Sequence, residues 1–159
     1  MERSMSLVTY SIEGIKYAIP LHLVKKVIRV VEITPLPQTS DKIMGIINYY
    51  GEVVPIINMR RILNLPTKEI DLSDQIIIVR ATSRTVGLLI DQICDIQNID
   101  FDEIIKPSRI LKDNEYTEGS VQGCIRLNNG LIVIHSIDTF ISNADCETLD
   151  RLVENTKQD

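Results

Sequence analysis

The sequence predicts a mainly β protein with one short C-terminal helix, and three observations lead there. Its 159 residues include 27 Ile and 12 Val against 14 Leu and 3 Ala; Ile and Val are stiff at χ1 and favour extended backbone, whereas Ala and Leu are what helices use. Apolar side chains alternate or run together in short stretches punctuated by turn residues. Three-and-four spacing is clear at the C terminus, where Leu149, Leu152 and Val153 share one helical face behind a possible cap at Asp145.

The elements follow in order. Val8, Tyr10 and Ile12 alternate with Thr9 and Ser11, and Glu13-Gly14 separates them from the run Ile15 to Ile19, so a β-hairpin is predicted. Pro20 closes it, one short turn at Leu21 to Val24 follows, and Val27 to Val31 resumes an extended run. Thr34 to Ser40 contains two prolines, which lack the N–H that a central ladder needs, and reads as a loop. A second hairpin is expected over Gly45 to Asn58 with Gly51 at its bend, followed by a helical turn over Met59 to Leu65. Gln75 to Arg80 and Thr85 to Ile90 form a third, and the unbroken aliphatic run Ile76 to Val79 implies burial on both faces. Ile93, Ile96, Ile99 and Ile104 are interspersed with carboxylates, and periodicity leaves helix and strand both open there. The last hairpin joins Ser120 to Leu127 and Leu131 to Ile137 through Asn128-Asn129-Gly130, residues that accept the positive φ of a tight turn. Residues 45 to 65 are echoed at 123 to 141, with Gly51 and Gly130 as matching bends, which suggests two similarly built small barrels.

Composition narrows the function. A hydrophobic fraction of 44% with 25% charged residues excludes disorder. A net charge of −5 without a Lys/Arg block argues against nucleic acid as partner. Cys94, Cys124 and Cys146 form no CxxC pair, so neither a zinc site nor a disulfide framework follows. No leader-like or membrane-spanning run is visible, and a cytoplasmic location is expected.

Catalytic chemistry finds little support. His22 and His135 lie in no nucleophile motif and read as packed or exposed histidines. The seven glycines match neither a dinucleotide fingerprint nor a phosphate loop. The carboxylates from Asp91 to Glu103 lack the spacing of a calcium loop and read as a solvated acidic face. Cys124 reads as a small buried hydrophobe. No catalytic residue, metal site or cofactor is predicted.

Several co-ordered segments carry a resemblance. Tyr17-Ala-Ile-Pro20, Val24, Val27-Ile28, Ile33-Thr-Pro-Leu-Pro37, Gly45-Ile-Ile-Asn48, Gly51, Val53-Val-Pro-Ile-Ile57 and Arg60, then Gly87-Leu-Leu-Ile-Asp91, Ile93, Ile105-Lys-Pro107, Tyr116 and Gly123, follow the order seen in CheW chemotaxis coupling proteins, so that residues 5 to 142 resemble that family. The resemblance implies two five-stranded SH3-like barrels around a shared core within a single domain. With the polar stretch Pro66 to Ser73 as boundary, residues 5–66 form the first barrel, 67–142 the second, and 143–159 the C-terminal helix and tail. It also implies a non-enzymatic adaptor, recruited to membrane receptor arrays, that couples a methyl-accepting chemoreceptor's cytoplasmic tip to the regulatory domain of a CheA-type histidine kinase.

Carried over residue by residue, the receptor-binding positions fall on Val24, Lys26, Tyr50, Ile76 and Ile93. Val24, Ile76 and Ile93 keep an apolar character, although Ile76 reads equally well as plain core. Lys26 stands where the family has Glu, and Tyr50 where it has Arg, and an aromatic does not replace a fork of five donors. A specialised coupler with a complementary partner and drift at a tolerant surface both fit these departures, as does a scaffold of a non-motility chemosensory cluster with altered or no receptor contact.

Overall fold

A computed structural model describes residues 3–36, 40–106, 121–127, 130–141 and 143–157. The expected Ser120, Asn128 and Asn129, the Lys-Pro107 and Tyr116 positions of the resemblance, and the side chain of Val153 lie at least partly outside the described residues.

The chain is mainly β. Its strands are β1 (Ser4–Ile12), β2 (Ile15–Pro20), β3 (Val24–Arg29), β4 (Ile43–Tyr49), β5 (Glu52–Ile57), β6 (Gln75–Arg80), β7 (Thr85–Ile90), β8 (Gln92–Asp100), β9 (Val121–Leu127) and β10 (Gly130–His135). A four-residue helix α1 (Met59–Ile62) follows β5, a 3₁₀ turn (Ile137–Phe140) follows β10, and α2 (Asn143–Lys157) ends the described chain. The acid-interrupted segment left open by periodicity is strand β8, followed by a 3₁₀ turn over Phe101–Glu103. Ile137 belongs to the turn after β10 rather than to the strand. Asp145 sits inside the first turn of α2 and is not its cap; its Oδ2 accepts from Ser40 Oγ at 3.3 Å.

Two five-stranded sheets result, ordered β8-β1-β2-β10-β9 and β3-β6-β7-β5-β4. Pairing is antiparallel except for β2 with β10 and β5 with β7, which are parallel. The second sheet is contiguous in sequence, whereas the first joins the N-terminal hairpin to strands that come after residue 91. Neither sheet therefore coincides with the division at residues 66 and 67. Hairpin signals report which neighbours pair, not which sheet the pair joins.

The two sheets share one plan, and the first is a circular permutation of the second. Reading β3, β4, β5, β6, β7 against β8, β9, β10, β1, β2 reproduces the same order and places the parallel pair at the same point. Isolated antiparallel bridges join Thr34 to Ile46 and Ile105 to Cys124 at equivalent positions, just beyond β3 and β8. Gly45 and Gly123 lie beside these bridges, where a Cβ would come within 2.2 Å of the Thr34 carbonyl oxygen and 2.8 Å of that of Ile105.

Three apolar clusters form among the described residues. The largest draws on both sheets, with Tyr10, Tyr17, Ile77, Val79, Leu88, Ile90 and Phe140 among its members. Leu7, Ala18, Ile125 and Ile134 form a second cluster within the first sheet, and Ile47, Val54, Ile56, Ile76 and Ile78 a third within the second. The run Ile76 to Val79 is buried throughout, its side chains alternating between the third cluster and the shared one. This is the two-faced burial that an unbroken aliphatic strand requires.

Candidate protein-contact surface

Lys26 and Tyr50 come together although they lie on elements at opposite edges of the second sheet. Lys26 is exposed on edge strand β3, opposite Ile78, with its Nζ 5.9 Å from the centroid of the Tyr50 ring. Tyr50 occupies the β4–β5 turn at φ +50°, followed by Gly51 at +82°. Two successive positive φ values suit the twist of a two-residue hairpin, and Asn-Gly or Gly-Gly is the usual occupant because other side chains pay a steric cost there. Asn48 Oδ1 accepts from the Gly51 N–H at 2.9 Å, which secures the bend. Tyr49 packs edge-on against Tyr50 with ring centroids 4.8 Å apart. Tyr50 is thus 84% exposed yet held by its backbone and a neighbouring ring.

The other expected positions divide. Val24 begins β3, half-buried against the shared cluster and opposite Val79. Ile93 on β8 is half-buried on that cluster too, and its N–H donates to Gln75 Oε1 of β6 at 2.7 Å, a link between the sheets. Ile76 has 0% exposure and packs inside the second sheet, so its position supports the plain core reading.

Sequence reasoning missed the residues that lock the sheets together. Asp91, expected on a solvated acidic face, instead accepts a two-pronged bond from Arg60 Nη2 at 2.8 and 2.9 Å. Arg60 Nη1 also donates to Glu13 in the β1–β2 turn, and the Glu13 N–H donates to Asp91 Oδ2 at 2.9 Å. Burial of the guanidinium opposes its charge, but the bonds and Coulombic attraction of Glu13 and Asp91 outweigh that and raise the Arg60 pKa. At the permuted equivalent, Asp138 after β10 reaches the β6–β7 turn, where its carboxylate accepts from the Thr82 N–H and Oγ1, each at 2.7 Å. Each sheet therefore clasps a hairpin turn of the other. The signal was present in the motif residues Arg60 and Asp91, but nothing local pairs residues so far apart.

Arg60→Ala is expected to destabilise the fold by about 2 kcal/mol, since it strips two carboxylates of a guanidinium whose side chain is only 12% exposed. Urea midpoints check this. Combined with Asp91→Asn, the loss should fall short of the sum of the two single changes, because both remove the same pair.

Of the groups that could bear chemistry, Cys124 and His135 are built into the core, whereas His22 is exposed and Cys94 and Cys146 are half-buried. Cys124 is buried, and burial raises its thiol pKa although Arg126 pulls the other way, so it carries little thiolate. His135 is 1% exposed within a stack of Tyr10, Tyr17 and Phe140, its Nδ1 2.9 Å from the Tyr10 hydroxyl. Burial lowers the His135 pKa to about 4 and raises that of Tyr10, leaving both neutral near pH 7. Asn58 caps α1, its Oδ1 accepting from the Arg61 N–H at 3.3 Å; the matching position after β10 is Ser136, which precedes the 3₁₀ turn without a side-chain cap bond, and His135 lies one residue earlier, in the strand. Among the described residues, no group of three or more His, Cys, Asp or Glu could hold a metal ion, and no helix is long and apolar enough to cross a membrane.

Two cross-clasped β sheets, a constrained exposed aromatic and a core-bound histidine and cysteine describe a module suited to protein contact. A model of the CheW-like domain matches residues 6–145, and the chain belongs to that family. It is 31% identical over 129 residues to the chemotaxis protein CheW of Bacillus subtilis, covering 80% of this chain and 81% of that protein. The chemotaxis protein CheW of Treponema pallidum is 22% identical over 157 residues, covering 95% and 90% respectively. In fold, the chain is similar to the crystal structure of the scaffolding protein TtCheW from Thermoanaerobacter tengcongensis, with a TM-score of 0.79 at 23% identity over 89% of this chain and 94% of that one.

Proposed function

We propose that the chain is a chemotaxis adaptor without catalysis of its own, which couples the cytoplasmic tip of methyl-accepting chemoreceptors to the regulatory domain of a CheA-type histidine kinase. It works in the cytoplasm, at membrane receptor arrays, as a single domain. In this reading each sheet is an SH3-like barrel. The Thr34–Ile46 and Ile105–Cys124 bridges support that, because each brings the segment after one edge strand onto the opposite edge strand.

The observation that carries the proposal, beside family membership, is Tyr50. A bulky aromatic in the left-handed region costs stability, and such conformations persist mainly where they serve a contact. Val24 and Ile93 supply a half-buried apolar margin in this reading. Tyr50→Ala is expected to weaken receptor binding by about 1–2 kcal/mol, the cost typical of a contact anchor. The melting temperature should stay unchanged, because the side chain supports little of the core. Equal affinity of the variant and the parent removes Tyr50 from the contact.

Calorimetric titration with the purified kinase regulatory domain, and separately with a receptor-tip helical hairpin from the same organism, tests the whole reading. Binding to both is the expected result, and binding to neither overturns it. Lys26 and Tyr50, which depart from the family pattern, favour one second reading: a scaffold of a non-motility chemosensory cluster that holds the kinase with altered or no receptor contact. Binding to the kinase alone selects that reading.

A further inference from the structure

We infer that the basic edge of β3 and the β4–β5 turn act as one recognition unit for a receptor-tip segment that brings a carboxylate to Lys26 beside an apolar side chain laid on the Tyr50 ring. The inference rests on the adaptor reading and adds the chemistry of the contact. The whole chain carries a net charge of −5, yet β3 presents Lys25, Lys26 and Arg29, all exposed. Lys25 is engaged, its Nζ donating to Thr85 Oγ1 at 2.8 Å. Among the described residues, Lys26 and Arg29 enter no ion pair, and the Lys26 ammonium lies over the Tyr50 ring.

That arrangement selects its partner. An ammonium over an aromatic face is drawn to the ring quadrupole but keeps its full charge and its remaining donors. The ring limits where the lysine stem points, so part of the ordering cost is met before a partner arrives. A carboxylate adds a charge-assisted bond without displacing the ring, whereas a basic side chain is repelled by Lys26. Tyr50, fixed at the turn and braced by Tyr49, offers the adjoining apolar surface. Charge and ring come from separate elements, so the pair reads spacing as well as sign.

The test is calorimetric binding of the full chain to the purified cytoplasmic fragment of a chemoreceptor from the same organism, at low and high salt. Lys26→Arg should bind like the parent, Lys26→Gln several-fold more weakly and Lys26→Glu about tenfold more weakly at low salt, with the differences shrinking at high salt. One Asp or Glu of the fragment, changed to Lys, should restore binding to Lys26→Glu. Lys26 is exposed on an edge strand, so melting curves of the variants should overlay that of the parent. If the parent binds and Lys26→Glu binds equally well or better, the inference falls and the adaptor reading stands. If the parent binds no receptor fragment, both fall.

Discussion

Replacing Gly45 with Ala should lower the unfolding free energy by about 3 kcal/mol, the largest effect expected from adding one methyl group to this chain. The register of β4 against β5 shifts between Ile43 and Gly45, and Gly45 has φ +158°. An added Cβ would lie 2.2 Å from the Thr34 carbonyl oxygen and 2.7 Å from the Thr34 carbonyl carbon. That oxygen accepts the Ile46 N–H at 2.9 Å, and the Thr34 N–H donates back to Ile46 at the same distance. The obstacle is backbone, so no rotamer change relieves it. Two hydrogen bonds at about 1 kcal/mol each and a strained dihedral together account for the estimate. Gly123→Ala meets Ile105 oxygen at 2.8 Å and a side-chain methyl of Ile104 at 2.7 Å, and the methyl can yield, so its cost should be smaller. Urea titration of both variants checks the ranking. An unchanged midpoint for Gly45→Ala would show that the Thr34 bridge is expendable.

Acid should expose the second large effect. His135 stays neutral in the folded protein down to about pH 4, while in the unfolded chain it titrates near its ordinary value of 6.5. Between those values the unfolded state binds more protons, so stability rises with pH. The histidine's contribution is fully present above pH 6.5 and is lost as the pH falls through 4, amounting to about 3 kcal/mol. His135→Gln retains an amide for the Tyr10 hydroxyl but cannot titrate. Urea unfolding of parent and variant between pH 7 and 4 isolates the difference, since their carboxylates are common to both. The parent should lose about 3 kcal/mol more than the variant over that range, and parallel curves would rule the histidine out.

Local pairing was legible in the sequence, and long-range assembly was not. The β6–β7 hairpin runs over the predicted residues, since aliphatic runs flanking a polar turn specify both strands and register. β8 could not be settled: as an edge strand it alternates buried and exposed positions irregularly, and its carboxylates interrupt the apolar period. Ile76 shows the limit for site residues, because a four-residue aliphatic run does not disclose whether one member meets a partner or the core. The positive φ of Tyr50 was hidden for a different reason. Gly51 announced a bend, but an aromatic is not a residue that normally announces the preceding left-handed position. Arg60, Asp91 and Glu13 needed the fold, since the clasp joins the short helix α1 to two turns from distant parts of the chain.

The permuted order of the first sheet sets a timetable for synthesis. The β1–β2 hairpin leaves the ribosome before the other strands, but the strand that flanks β2 in the finished sheet is β10, the last of the ten described strands to emerge. At about 5–20 residues per second the hairpin waits on the order of ten seconds for its neighbours. A lone two-stranded ribbon is marginal in water, whereas β3 to β7 emerge consecutively and can complete their sheet while translation continues. The nascent β1–β2 hairpin thus carries unpaired strand edges until β8 to β10 emerge, and it is there that a chaperone or a second nascent chain would find its opening.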